Sequence, residues 1–261
     1  MSDSPSPATT DATDAPYVTY VVADGVATIT LDSPHNRNAL SRRLVTELHE
    51  HLETAAADEA VRVVLLQSSG KVFCSGADLS EAATTSMEEG TKRIIALQRL
   101  IATMPKVVVT KNLGAVRAGG IGIVASADIA VSAEEATFAL TEVKLGLAAA
   151  IISLTVFHRM DPRSASLTAL SGETFTGAEA AAYGLVTKAV PAAELDDVVA
   201  KLCADVATGA NQGIRETKKI LNAALVERID TLGDEMSALS TRLFGSDEAR
   251  EAMTAFLNRK K

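Results

Sequence analysis

The spacing of apolar residues changes several times along this chain, and each change marks an element. YVTYVVADGVATITL (17–31) reads as two strands joined at Asp24-Gly25, a strong hairpin signal. SPHNRNAL (33–40) is a polar loop. From Leu40 to about Ala56, the residues Leu44, Val45, Leu48 and Leu52 recur at a helical period, with Asn38 or Ser41 as the N-cap. VRVVLLQ (61–67) is an unbroken apolar run, as expected of a strand covered on both faces. FCSGADL (73–79) leads into a polar segment, Ser80 to Gly90, and then a helix near Thr91–Thr103 with Ile94, Ile95, Leu97 and Ile101. VVVT (107–110) predicts a strand, AVRAGGIGI (115–123) a glycine loop entering a short helix, and DIAV (128–131) and ATFAL (136–140) two short strands. From Ile151 onward helices dominate. GETFTGAEAAAYGLVTKAV (172–190) predicts a helix capped by Gly184 that feeds a strand, and Ala192 to Lys261 three or four amphipathic helices with no strand. Strand–helix alternation followed by an all-helical tail makes this an α/β chain with an appended helical region.

Composition narrows the class. With 261 residues, 47% apolar and 22% charged, the chain can bury a substantial core. No apolar run approaches the roughly 18 residues of a membrane span. Residues 1–16 are rich in Ser, Thr, Asp, Ala and Pro and read as a disordered tail, without the basic start and apolar stretch of a signal peptide. Two cysteines, Cys74 and Cys203, give neither a disulfide framework nor a zinc spacing, so no metal is expected and a reducing cytoplasm is the default location. Cys74 is read as packing, since no His stands at a suggestive position near it. A net charge of −8 argues against a nucleic-acid platform but leaves room for a phosphorylated ligand held by a local basic patch.

The chemistry gathers in three segments. In FCSGADL, Gly76 lets the backbone turn, Ala77 contributes its N–H as the chain enters a helix, and Asp78 can cap that helix. In AVRAGGIGI, Gly119-Gly120 again permits close backbone approach. Each loop alone is an ordinary strand–loop–helix junction. Together they can aim two amides at one carbonyl oxygen, the arrangement of an oxyanion hole. Glu142, in FALTEVKLGL (138–147), is a carboxylate among apolar residues. It is either partly buried, with a pKa raised toward neutrality, or a solvated loop residue paired with Lys144. Glu134 and Glu135 read as solvated turn residues, and His158 beside Arg159 as a helix-terminal charge.

These segments, with RNALS, GAVRAGGIGIVASADIAV, GETFTGAEAAAYGLV and the closing AFLNRKK, resemble in order and spacing the crotonase (enoyl-CoA hydratase/isomerase) superfamily over roughly residues 17–260. The resemblance implies a ββα spiral core over 17–195 and a C-terminal helical trimerisation region over 196–261. It further implies an acyl-CoA thioester as substrate, with coenzyme A part of that substrate and no separate cofactor. A homotrimer or homohexamer is expected, with no nucleic-acid or membrane partner. By resemblance the Ala77 and Gly119 amides form the oxyanion hole and Glu142 is the catalytic acid/base. Arg37, Ala39, Lys71, Ser75, Gly76, Asp78, Leu79, Arg117, Gly120 and Lys260 are the expected substrate and CoA contacts. The family's other glutamate falls on Gly122, which has no side chain, and its usual Gly-Gly-Gly reads Ala118-Gly119-Gly120. Val107 stands where a Pro is usual, and Ala148-Ala149-Ala150 where many members have Pro or Gly. With one carboxylate, either hydration of a 2-enoyl thioester or a C2-to-C4 proton shuttle is open; the GIGIV and TEVKLGL pair resembles a hydratase subgroup and favours the first.

His35, Arg37, Lys71, Arg259, Lys260 and Lys261 are the cations available for the CoA phosphates. GIGIVA (120–125) also matches G-x-G-x-x-A, but the dinucleotide reading needs a strand running straight into the first Gly, and the apolar strand here ends near Thr110. A non-catalytic acyl-CoA-binding protein of the same fold is the remaining alternative.

Overall fold

The computed structural model describes residues 15–82 and 87–258, so the expectations for residues 1–14 and for Arg259, Lys260 and Lys261 lie outside the described residues. The chain opens with the predicted hairpin, β1 (Val18–Ala23) and β2 (Val26–Leu31), whose turn residues Asp24 and Gly25 hold φ of 49° and 78°. Helix α1 (Arg42–Ala57) follows, capped by Ser41, whose hydroxyl accepts from the Leu44 N–H. Three rounds of strand, strand and helix come next. They are β3 (Val63–Ser68), β4 (Val72–Cys74), then α2 (Leu79–Ala82) and α3 (Met87–Thr103). The second is β5 (Val107–Asn112), β6 (Ala115–Arg117) and α4 (Gly119–Ser126); the third is β7 (Ile129–Ala133), β8 (Thr137–Ala139) and α5 (Ala150–Arg159). After α6 (Pro162–Ser171) come β9 (Thr174–Thr176), α7 (Gly177–Ala182) and β10 (Lys188–Val190), then α8 (Leu195–Ala207), α9 (Asn211–Phe244) and α10 (Asp247–Asn258).

Each round places its first strand in one sheet and its second in another. The larger sheet runs β1-β2-β3-β5-β7-β10 and is parallel from β2 onward; the smaller runs β4-β6-β8-β9, with only β9 antiparallel. This is a ββα spiral with a helical C-terminal region. The unbroken apolar strands have the burial that pattern requires: Val63, Val64, Leu66, Val108 and Val109 are sealed in the core. β9 departs from expectation, because TFT (174–176) pairs with β8 instead of opening the following helix. Its middle residue, Phe175, stacks on Phe138 across the pair, and Thr176 makes a capping box with Glu179 that starts α7.

Helix α9 packs along α3 and α5, where Leu225 and Ile229 meet Ala102 and Leu154. A buried ion pair fixes its first half: Lys218 Nζ lies 2.7 Å from Asp128 Oδ2 and donates to the carbonyls of Ile101 and Lys106. Among the described residues no helix is long and apolar enough to cross a membrane.

Candidate active site

Two strand-to-helix junctions of the smaller sheet lie against one another. The β4–α2 loop is held from the side by residues 36–40: the Leu40 N–H donates to the Gly76 carbonyl at 2.8 Å and the Ser75 N–H to the Arg37 carbonyl at 3.1 Å. Gly76 turns the chain with φ of 97°, which a side chain would resist. Asp78 then caps α2 by accepting from the N–H and hydroxyl of Ser80, and Asn36 donates to it at 3.2 Å. These hydrogen bonds hold its carboxyl below the ordinary Asp range despite the burial that opposes them. At the second junction Ala118 precedes α4 with φ of 45° and ψ of −116°. A Cβ on Gly76 would come within 3.1 Å of the Ala118 Cβ, and one on Gly120 within 2.6 Å of the Cys74 Cβ, so the two loops are in van der Waals contact. Among the described residues neither the Ala77 N–H nor the Gly119 N–H has an acceptor. Both residues line the same cavity, of about 190 Å³.

Glu142 enters that cavity from the 3-10 turn Glu142–Leu145 that follows β8. Its Oε2 is buried and has no hydrogen-bond partner among the described residues. Burial pushes the carboxyl up to about 7, partly offset by a backbone N–H. The alternative of a solvated pair with Lys144 does not hold: Oε2 is buried without a partner among the described residues, and the Lys144 ammonium instead donates to the Gly172 carbonyl at 2.5 Å. Cys74, beneath the first loop, is buried and its thiol is pushed up to about 12, which removes it as a nucleophile.

Of the expected contacts, Ser75, Gly76, Asp78 and Leu79 join Ala77, Gly119 and Glu142 around the cavity. Gly120 lies behind it, packed on Cys74, and Ala39 is buried beneath the loop. Arg117 is not a cavity residue: its guanidinium donates to the carbonyls of Val116 and Thr137 and to the Thr137 hydroxyl, bracing β6 on β8. Arg37 and Lys71 are exposed and do not line the cavity, and Lys260 lies outside the described residues. Gly122, where a second carboxylate was in question, does not line the cavity, and Ile152, which does, stands in front of it. A Cβ there would stand 2.7 Å from Ile152 Cγ2, and the Gly122 carbonyl accepts from Ser126 at 2.6 Å.

Sequence reasoning missed several walls of the cavity. Arg42 and Arg93 line it and share Glu89, at 3.4 and 2.9 Å. Residues 148–152 contribute the start of α5, whose N-cap, Ala149, supplies no side-chain cap. Ser240, Phe244 and Phe256 come from the C-terminal helices. Only the Ala148-Ala149-Ala150 run carried a signal of these. Among the described residues no cluster of three or more His, Cys, Asp or Glu could hold a metal ion.

Two free amides and a buried acid in one apolar cavity suit proton transfer next to an activated carbonyl. The chain is similar to several known proteins. An enoyl-CoA hydratase from Mycobacterium avium superposes with a TM-score of 0.87 at 42% identity, over 96% of this chain and 98% of that one. A hydroxycinnamoyl-CoA hydratase-lyase from Pseudomonas fluorescens is 30% identical over 190 residues, 69% of each chain. A 1,2-epoxyphenylacetyl-CoA isomerase from Escherichia coli strain K12 is 27% identical over 250 residues, covering 92% of this chain and 95% of its own. With residues 22–261 matching the family's sequence profile, the chain belongs to the enoyl-CoA hydratase/isomerase family.

Proposed function

We propose that this protein adds water to a 2-enoyl-CoA thioester, with Glu142 as its single acid/base. The observation that carries this reading is the buried Glu142 carboxyl, its Oε2 without a partner among the described residues, in the cavity that also holds the free Ala77 and Gly119 amides. Those amides receive the thioester oxygen. As water attacks C3, Glu142 takes its proton and negative charge collects on that oxygen. Glu142 then returns the proton to C2 as the enolate collapses, leaving a 3-hydroxyacyl thioester. A carboxyl near 7 can serve both steps. The two amides act together on that oxygen, and losing one such donor typically costs about 2.7–4 kcal/mol of barrier. The uncapped first turn of α5, lining the same cavity, supplies N–H donors to hold the water by its oxygen.

A second reading is isomerisation, with Glu142 carrying a proton between C2 and C4. It is favoured by Ile152, which fills the space beside Gly122 and leaves no second carboxyl to hold water. Incubation with 2-enoyl and 3-enoyl thioesters in ¹⁸O-water separates the two. Label at C3 of the product supports hydration, and a moved double bond without label supports isomerisation. Thioester binding without either product would make this a non-catalytic acyl-CoA-binding protein.

Self-association into a trimer or hexamer is part of the same proposal, supported by Leu170, Ile220 and Leu221, which are 77%, 77% and 71% exposed. Light scattering on the purified protein tests it, and a monomer at micromolar concentration would refute it.

A further inference from the structure

Most buried hydroxyls on the described helices are satisfied within the chain; Thr241 Oγ1 is buried without a partner among the described residues, and Ser240 is the unbonded helix hydroxyl that lines the cavity. Ser126, Ser153, Thr155 and Thr168 donate to carbonyls three or four residues back, and Thr91 donates to Glu88 and meets Ser237 at 2.7 Å. Ser240, one turn beyond Ser237 on α9, is only 4% exposed and makes no hydrogen bond among the described residues. It lines the cavity, so the exposure it has is toward the bound molecule. An alkyl chain against Ser240 would leave the O–H without a partner, at a cost comparable to a lost hydrogen bond. There is also room for a substituent there. Gly90, next to Thr91 on the facing helix, lines the cavity, and a Cβ on it would meet nothing within 4 Å among the described residues. The nearby charges leave no surplus cation for a carboxylate: Arg42 and Arg93 both reach Glu89, and Asp78, Glu81 and Glu142 also line the cavity. A neutral group fits this wall better than a carboxylate.

Building on the thioester reading above, we propose that Ser240 is a specificity residue that donates a hydrogen bond to a neutral oxygen on the acyl chain, whether hydroxyl, ether or ketone, beyond the reacting carbons. The preferred substrate is then an oxygenated acyl-CoA, not a plain alkyl one.

The test uses saturated, unreactive acyl-CoA thioesters matched in length, with a methylene replaced by an ether or ketone oxygen at successive positions, and calorimetry on wild type and Ser240→Ala. Wild type should prefer the oxygenated partner by about tenfold at one position, and the variant should lose that preference. The proposal is overturned if wild type shows no preference at any position, or if the preference survives in Ser240→Ala. Equal weakening of both partners would overturn it too, since the hydroxyl would then contact the CoA portion. Failure of every acyl-CoA to bind would defeat the thioester reading and this proposal together, whereas binding without a Ser240-dependent preference defeats this one alone.

Discussion

Ala118 holds φ of 45° and ψ of −116°, a region that glycine enters freely and alanine does not. The residue is kept there because its N–H donates to the Ala139 carbonyl at 3.2 Å and the next residue must start α4. Strain of this kind costs about 1–3 kcal/mol, while glycine loses roughly 0.4–1 kcal/mol through the freedom of its unfolded chain. The strain is the larger, so Ala118→Gly should stabilise the protein by about 1 kcal/mol, read as a higher urea midpoint at unchanged m; a lower midpoint would show that the alanine is not strained. Glu142 makes a second prediction at this scale. Its folded-state pKa is raised, so its contribution to stability is complete below 4.5 and is lost as pH rises through about 7. Ionising a carboxyl so displaced costs about 3 kcal/mol at most. Glu142→Gln should therefore gain stability over wild type between pH 4 and pH 8 while losing about 10²–10⁴-fold in kcat. Under the proposed mechanism, wild-type kcat/KM should rise through pH 7 as the base form appears. A stability difference that stays flat across this range would mean the carboxyl is not displaced.

Elements with a clear period were legible from the chain, and those set by pairing were not. The hairpin, α1 and the apolar strands followed from Asp24-Gly25, the Leu44 to Leu52 spacing and continuous valines, because each pattern dictates its own burial. The two glycine loops were legible as well, since the contact of Gly120 with Cys74 admits no side chain. β9 escaped notice because three residues carry no period and its pairing with β8 is non-local. The direction of Arg117 was not legible for a related reason. On β6 its direction is set by the neighbouring strand, and Thr137 of β8 supplies the acceptors that draw it from the cavity. The α9 wall was hidden because Ser240 is one unremarkable position in a 34-residue helix. Helix packing also decides what Gly122 can become. A side chain there meets Ile152 Cγ2 at 2.7 Å, so Gly122→Glu should not supply a second acid. It should lower the melting temperature and leave turnover no higher; a rise in the hydration rate would show that α5 yields to make space.

Across the whole molecule, α9 ties the reaction cavity to the far side of the core. Near its start Lys218 and Asn222 reach the end of α3 through the carbonyls of Ile101 and Ala102, and both hold Asp128, which also accepts from the Val108 N–H of β5. Arg159, at the end of α5, donates to Asn222 at 3.1 Å. Near its other end the same helix presents Ser240 and Phe244 to the cavity. The helical region is therefore bonded into the spiral core, and the two should unfold together. Removing the Lys218 ammonium leaves a mostly buried carboxylate short of its cation and two carbonyls without a donor, and breaking a buried pair in this way typically costs about 3–5 kcal/mol. Lys218→Ala should lose stability on that scale yet keep one unfolding transition. The chain has no Trp, but Tyr17, Tyr20 and Tyr183 all precede α8, so tyrosine fluorescence follows the core while far-UV circular dichroism is dominated by helix. Coincident midpoints by the two probes in urea are the expected result for both proteins. If circular dichroism is lost first in the variant, α9 is a separable unit, and its contribution to the cavity would have to be treated as a docked surface.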